Sequence, residues 1–87
     1  MLLKIKPHSP EEKPSHSCQV IMAMTYQKPI TIDYSEKYDA WNCIDGITEE
    51  DAALMSMDTD NMIGWVYADE VFWQIVLAMR EAGHEVY

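Results

Sequence analysis

The sequence predicts an α+β fold in which a small antiparallel sheet of three to four strands is combined with a short helix and a packed C-terminal helix (β-β-β-α-β-α). Short runs with alternating apolar residues, separated by polar or Pro-containing turns, indicate strands. The last third of the chain instead carries a long apolar run with helical start and stop residues. The 87 residues are assigned to a single domain, because so short a chain buries only one thin core.

The most regular strand pattern lies at residues 18–26. Val20, Met22 and Met24 alternate along one face, and the opposite face is also largely apolar. A strand that is apolar on both sides is covered on both sides, so this strand is predicted near the centre of the sheet.

Four further segments of the first half are assigned from the same kind of pattern. Residues 2–6 alternate between apolar and basic side chains and predict a short edge strand, which Pro7 ends. Two prolines and three serines predict an irregular loop over residues 7–17. The second and third strands are predicted at residues 30–34 and 38–44.

The second half begins with helix and strand signals. Thr48, followed three residues later by Asp51, resembles a capping box and predicts a short helix over the next two turns. Residues 62–67 are predicted as the fourth strand, in which Gly64 indicates a bulge or a close neighbour. Asp69 is then predicted to cap the last helix, and Gly83 to follow its C-terminus.

The C-terminal helix, predicted at residues 70–83, has few polar positions. Seven large apolar side chains lie between Val71 and Met79, and at roughly 2 kcal/mol each their burial would contribute about 14 kcal/mol. This exceeds the net stability of a small domain, so the helix is predicted to decide whether the chain folds. It is expected to lie deep against the sheet, or else to offer its second flank to another subunit, which is favoured over the short helix as its cover.

The distribution of charge is the strongest compositional feature. The formal net charge is −9, and eleven of the fifteen acidic residues lie between positions 29 and 70, where Lys37 is the only base. This distribution argues against direct nucleic-acid binding, which needs clustered lysines and arginines. It favours a partner with a basic surface.

Aromatic residues accompany these acids. An interface with aromatic anchors and an acidic rim would use such a combination, although the same aromatic side chains would also suit a small core. The candidate partner-binding residues are Asp33, Tyr34, Glu36, Tyr38, Asp39, Trp41, Asp45, Glu49, Glu50, Asp51, Asp58 and Asp60.

Catalytic and metal-binding motifs do not emerge from the sequence. His16 and Cys18 form only one close ligand pair, whereas structural zinc needs four ligands. The Asp58-x-Asp60 stretch fails the calcium-loop pattern, because Met62 and Ile63 occupy its next positions. No nucleophile elbow or Gly-rich phosphate loop is present. The prediction is therefore a non-enzyme without a cofactor, with Cys18 and Cys43 as free, semi-buried thiols.

Several segments together resemble a small phage- and prophage-borne domain family of unknown function. The resemblance covers about residues 9–70 and rests on the Pro10-Glu11 turn, the strand residues 19–22, the Tyr38 and Trp41 hairpin, and Trp65 in the last strand. The chain differs from the family in lacking an opening Trp and terminal prolines, and in adding a helix after residue 70. The resemblance implies an accessory protein of a mobile element in a bacterial cytoplasm.

Three functional hypotheses follow. The first is an acidic, phage- or prophage-encoded interaction protein that inhibits or modulates a basic host protein, including by DNA mimicry as in anti-restriction, anti-CRISPR or transcription inhibitors. The second is a homo-oligomeric assembly subunit that dimerises through the helix at residues 70–83. The third is a metal-binding protein or small enzyme. No membrane segment or secretion signal is evident, so a cytoplasmic location is expected.

Overall fold

The computed structural model describes residues 5–83 and confirms the α+β prediction and the order of its elements. Ile5 and Lys6 belong to no strand, and the rest of the edge strand predicted at residues 2–6 lies outside the described residues. The elements are β1 (Cys18–Met24), β2 (Ile30–Ser35), β3 (Ala40–Trp41), α1 (Glu49–Met55), β4 (Met62–Tyr67) and α2 (Ala68–Glu81).

The four strands form one antiparallel sheet in the order β3-β2-β1-β4. β1 therefore lies between two neighbours, as its two apolar faces predict. Val20 pairs with Ile32 of β2 and with Tyr67 of β4. Since paired residues share a face, this register assembles one continuous inner face from alternate positions of the three strands.

The inner face holds the core, and the sheet curls around it. Trp41 and Trp65 belong to strands at opposite edges of the sheet, yet their ring centroids are only 5.7 Å apart. Three strand spacings would separate these strands by about 14 Å in a flat sheet, so the sheet must bend toward this face. The buried core residues are Val20, Met22, Ile32, Tyr34, Trp41, Met62 and Trp65.

The N-terminal segment closes the core at the β4 edge. His8 pairs with Trp65 through two backbone hydrogen bonds of 2.9 and 3.0 Å, and its ring stacks on the indole at 4.3 Å. The indole Nε1 of Trp65 donates to the carbonyl oxygens of Ser9 and Glu12. Pro14 is buried, although residues 9–17 hold neither helix nor strand. Trp65 therefore holds the first half of this irregular segment against β4.

Gly64 confirms both expectations that were placed on it. The pairing of β4 with β1 shifts its register between Ala23 and Met24 of β1, which marks a bulge. A Cβ atom at Gly64 would lie 2.7 Å from the carbonyl oxygen of His8. The absence of a side chain therefore allows the backbone of the N-terminal segment to approach β4.

The third strand is much shorter than the predicted residues 38–44. Asp39 and Asn42 have φ angles of 48° and 63°, so the chain turns immediately before and after Ala40–Trp41. The backbone amides of Asn42 and Cys43 both donate to the carbonyl oxygen of Asp33. Because these two residues adopt left-handed backbone angles, the strand includes only two of the seven predicted residues.

The first helix begins as the capping box predicts. The hydroxyl oxygen of Thr48 accepts from the backbone amide of Asp51 at 3.2 Å, and three acids occupy the first turn. The helix ends at Met55, and Ala52 is its buried residue. The next segment returns to the sheet, where the Met57 amide donates to the carbonyl oxygen of Trp41.

The start of α2 differs from the prediction. Tyr67 is the N-cap, makes no side-chain capping hydrogen bond, and is both the last residue of β4 and the residue before the helix. Asp69 is therefore not the cap but lies within the first turn, where its carboxylate still meets the positive end of the helix. Gly83, with φ of 89°, follows the helix as predicted.

Of the two arrangements predicted for α2, deep burial against its own sheet is wrong, because most of its large apolar side chains are exposed. Val76 is the buried residue of the helix, and five of the seven large apolar side chains are exposed by 41–59%. The core that organises the fold is instead the inner face of the sheet. α1 does not cover α2 sufficiently to bury these side chains, which are Phe72, Trp73, Ile75, Leu77 and Met79.

Candidate protein-binding cleft

Three segments that are distant in sequence enclose an open cleft of about 580 Å³. The N-terminal loop contributes residues 10–13, the turn and β3 contribute residues 38–41, and the chain after α1 contributes residues 56–60. The lining residues are Pro10, Glu11, Lys13, Tyr38, Asp39, Ala40, Trp41, Ser56, Met57, Asp58, Thr59 and Asp60.

Specific contacts hold the walls together. Lys13 donates to the Asp39 carboxylate at 3.0 Å, which ties the N-terminal loop to the turn before β3. On the opposite wall, the backbone amide of Met57 donates to the carbonyl oxygen of Trp41 at 3.1 Å. Both contacts join segments that are more than ten residues apart, so the cleft depends on the folded chain.

The cleft carries an excess of negative charge. Four carboxylates, from Glu11, Asp39, Asp58 and Asp60, face one ammonium group, from Lys13, which leaves three negative charges. The hydrogen bond from the Tyr34 hydroxyl, at 2.6 Å, lowers the pKa of Asp39, and Lys13 lowers it further. Asp39 therefore remains ionised well below neutral pH.

Trp41 forms the back of the cleft and is itself only 3% exposed. Its ring packs edge-to-face on Tyr34 at 5.0 Å, and its Nε1 has no hydrogen-bond partner among the described residues. Tyr34 is 4% exposed. The structure thus places both aromatic residues in the core, which is one of the two roles that the sequence left open. Tyr38 is the half-buried aromatic residue at the cleft.

Asp45 lies outside the cleft, in a serine network. The hydroxyls of Ser35 and Ser17 donate to its carboxylate at 2.6 and 2.8 Å, and the Lys37 amide donates at 3.4 Å. Ser35 is fully buried, and its oxygen also accepts from the Tyr38 amide. The hydrogen bonds from Ser35 and Ser17 lower the pKa of Asp45, which indicates that this acid stabilises the turn after β2.

Replacing Asp45 should change how stability depends on pH. Because the pKa is lowered in the folded state, the contribution of Asp45 is complete above the unfolded pKa of about 3.9 and is lost as the pH falls through the folded pKa. We expect Asp45→Asn to be less stable than the wild type at pH 7, and to lose less stability between pH 5 and pH 2.

Thermal unfolding at pH 7, 5, 3 and 2 measures this effect. Ser35→Ala removes the principal donor and should reproduce part of it, and the effects of Asp45→Asn and Ser35→Ala should not add in the double variant. Equal acid sensitivity of Asp45→Asn and the wild type would show that this network does not stabilise the fold.

The other predicted acids are exposed but do not join the cleft. Asp33 lies on β2 and Glu36 in the turn after it, and the remaining three occupy the first turn of α1. Five of the twelve predicted residues therefore come together around one cleft: Tyr38, Asp39, Trp41, Asp58 and Asp60.

Sequence reasoning missed the wall made by the N-terminal loop. Glu11 and Lys13 belong to a segment predicted only as irregular, and the Lys13–Asp39 pair spans 26 residues. The available signal was Lys13 itself, a base in an acidic protein. Pattern periodicity carries no information about such a long-range ion pair.

The histidines and cysteines form a different environment. His16 stacks on the Tyr67 ring at 5.8 Å, and His16 and Cys18 line a second cleft of about 310 Å³ together with Asp69 and Glu70. Burial and the nearby Asp69 raise the pKa of the Cys18 thiol, and burial raises that of Cys43. Both cysteines are free, as predicted, but Cys18 alone is semi-buried, whereas Cys43 is fully buried. Within residues 5–83, no three His, Cys, Asp or Glu side chains are grouped to hold a metal ion.

Comparison of the chain with protein-family models, curated proteins and solved structures finds no match. Neither of the two helices in the described part of the chain is long and apolar enough to cross a membrane.

Proposed function

We propose that the protein is a non-catalytic interaction protein whose acidic cleft binds a basic segment of another protein. The observation that supports this proposal is the cleft of about 580 Å³, in which four carboxylates face a single lysine. A concave site lined by one sign of charge concentrates the electrostatic field and attracts an oppositely charged ligand. The volume falls within the roughly 300–1,000 Å³ of typical ligand sites.

The chemistry of the cleft favours lysine or arginine side chains as ligands. Asp58 and Asp60 are exposed at the wall that follows α1, where they are accessible to a partner. Asp39 already accepts from Tyr34 and Lys13, so an incoming cation competes with Lys13 for it or binds the other acids. The ring of the half-buried Tyr38 lies beside these charges and already carries the Lys37 ammonium, 5.1 Å from its centroid, so an incoming cation would compete with Lys37 for this aromatic surface.

A matched pair of variants tests the cleft with a ten-residue peptide that alternates lysine and glycine. Asp58→Asn/Asp60→Asn removes two charges from the cleft, whereas Glu49→Gln/Glu50→Gln removes two charges from α1, outside it. At about 0.5–1 kcal/mol for each exposed charge pair, we expect the first variant to bind roughly 5- to 30-fold more weakly. The second should bind within about twofold of the wild type.

Calorimetric titration at several salt concentrations measures both effects. Affinity should decrease as ionic strength rises, because exposed charge pairs are screened. Equal weakening by the two variants would mean that the peptide senses only net charge, and salt-independent binding would contradict the electrostatic mechanism. Circular dichroism confirms that each variant is folded.

The narrower form of the proposal is that a phage- or prophage-encoded protein of this kind inhibits a DNA-binding host protein in the bacterial cytoplasm. A DNA mimic must repeat negative charges at about the spacing of phosphates, one charge per 1.7 Å of duplex axis. The cleft acids and the exposed acids of α1 supply the charges for such a surface. Competition between this protein and duplex DNA for a basic DNA-binding protein tests mimicry. Peptide binding without DNA displacement would support the cleft and reject mimicry.

A further inference from the structure

α2 presents a large exposed apolar surface. Phe72 and Trp73 pack edge-to-face at 5.9 Å, yet each remains more than half exposed, and Ile75, Leu77 and Met79 are exposed by 41–50%. Since such side chains offer roughly 150–250 Å² each, the five together expose on the order of 500 Å². This area alone reaches the range of the largest apolar patch on a typical monomer, about 300–600 Å².

The junction between β4 and α2 explains this exposure. Tyr67 is the last strand residue and Ala68 the first helical residue, so no loop separates the two elements. A helix that returns across its own sheet normally needs a connection of about two to six residues. The Cα radius of gyration is 14.9 Å, compared with about 12 Å for a compact chain of this length. Both observations indicate that α2, although it contacts β1 and β4 and buries Val76, extends past the sheet over the rest of its apolar surface.

The outer face of the same sheet carries an apolar groove that neither α1 nor α2 of its own chain covers. Ile21 pairs with Val66, and Ala23 with Gly64, on the face opposite to the core. These residues line an apolar groove of about 280 Å³, which also includes Ile63, 61% exposed. The groove is lined by no residue of α2 and by no Asp, Glu, Lys or Arg.

We propose that two copies of this chain exchange their C-terminal helices, each α2 packing its apolar face into the outer sheet groove of the other copy. Five large apolar side chains of the helix lack cover, and no residue of α2 lines the groove on the outer face of the sheet. Because no loop separates β4 from α2, the helix cannot reach the groove of its own chain. A short connection of this kind favours packing of the helix on a second copy, which is the physical basis of domain exchange.

The area and the charge of the two surfaces support a second copy as the occupant. Two helices would bury on the order of 1,000 Å² and the two grooves add to this, so the contact reaches about the lower end of the roughly 1,200–2,000 Å² of stable interfaces. Each copy carries a net charge of −9, so two copies repel one another, and the repulsion is smallest where surfaces without acids meet. The groove is such a surface. Dimerisation should therefore strengthen with added salt, whereas peptide binding in the acidic cleft should weaken.

Sedimentation of the full chain without any partner tests the exchange, independently of the cleft. Ile63→Lys places a charge in the groove at a position exposed enough to tolerate it, and Leu54→Lys makes the same change on α1, where Leu54 is 85% exposed. We expect the wild type and Leu54→Lys to dimerise, and the dissociation constant of Ile63→Lys to rise at least tenfold. Thermal unfolding confirms that both variants are folded.

Two other outcomes would overturn the proposal. A concentration-independent wild-type monomer would show that no second copy covers α2. A dimer that is disrupted by Phe72→Lys but unaffected by Ile63→Lys would show that the helices pair with each other rather than with the grooves.

A longer junction separates exchange from other modes of dimerisation. Inserting Gly-Gly-Ser-Gly between Tyr67 and Ala68 should allow α2 to return to its own groove, converting the dimer into a monomer. Amide hydrogen exchange in α2 should remain slow in that monomer, because the helix is still covered. A dimer that persists after the insertion would contradict helix exchange.

Discussion

Replacing Trp65 by alanine should unfold most of the protein. Trp65 is 2% exposed and lies between the stacked His8 ring at 4.3 Å and the edges of Trp41 and Tyr67. Large-to-alanine substitutions at buried aromatic residues lower the free energy of unfolding by about 3–5 kcal/mol. A domain of this size is stable by roughly 5 kcal/mol or slightly more, so Trp65→Ala would retain little or no net stability.

Replacing Trp65 lowers the free energy of unfolding through lost hydrogen bonds as well as through lost packing. Its Nε1 donates to the carbonyl oxygens of Ser9 and Glu12, at 3.1 and 3.0 Å. Trp65→Phe keeps an aromatic ring but removes this donor. The carbonyl of Glu12 then loses its indole partner, whereas that of Ser9 still accepts from the Glu12 amide, so the substitution should cost about 1–3 kcal/mol. It should also increase hydrogen exchange of the N-terminal segment.

Guanidinium unfolding followed by circular dichroism measures both variants. Tyr26→Ala is the control, because Tyr26 is 92% exposed and its replacement should change stability by less than about 0.5 kcal/mol. If Trp65→Ala unfolded at the same denaturant concentration as Tyr26→Ala, the inner face of the sheet would not be the core that stabilises this chain.

The sheet could be predicted because its residues follow a local pattern. Alternation along β1 and β4 identified both strands, and apolar residues on both faces of β1 placed it at the centre of the sheet. The start of α1 could be predicted for the same reason, because the Thr48 hydroxyl accepts a hydrogen bond from the amide of a residue only three positions away. Patterns of this kind depend on neighbours in sequence, so they need no knowledge of the tertiary fold.

The predictions were wrong where the local structure depends on the tertiary fold. No pattern indicated that Asp39 and Asn42 adopt left-handed backbone angles, so the third strand was predicted too long. The burial of α2 was inferred from its composition, but composition does not show whether a helix can reach its own sheet. The connection after Tyr67 decides this. The candidate acids were identified individually, and the fold selected the few that share one cleft with Lys13.

Gly64→Ala should destabilise the protein through a backbone contact. The added Cβ atom would lie 2.7 Å from the carbonyl oxygen of His8, a distance that requires one of the two backbones to move. The same oxygen accepts from the amide of Trp65 at 3.0 Å, so any displacement of His8 also weakens the bridge between the N-terminal segment and β4. Overpacking of this kind typically costs about 1–3 kcal/mol.

Gly46→Ala is the matched control for this substitution. A Cβ atom at Gly46 would contact nothing within 4 Å, so Gly46→Ala should be neutral or stabilising by up to about 1 kcal/mol. Urea unfolding compares the two variants, and amide exchange at Trp65 reports the bridge directly. A Gly64→Ala variant as stable as Gly46→Ala, with Trp65 still protected, would show that the N-terminal segment adjusts without cost. Destabilisation at Gly64 alone would show that its missing side chain lets the N-terminal segment pair with β4.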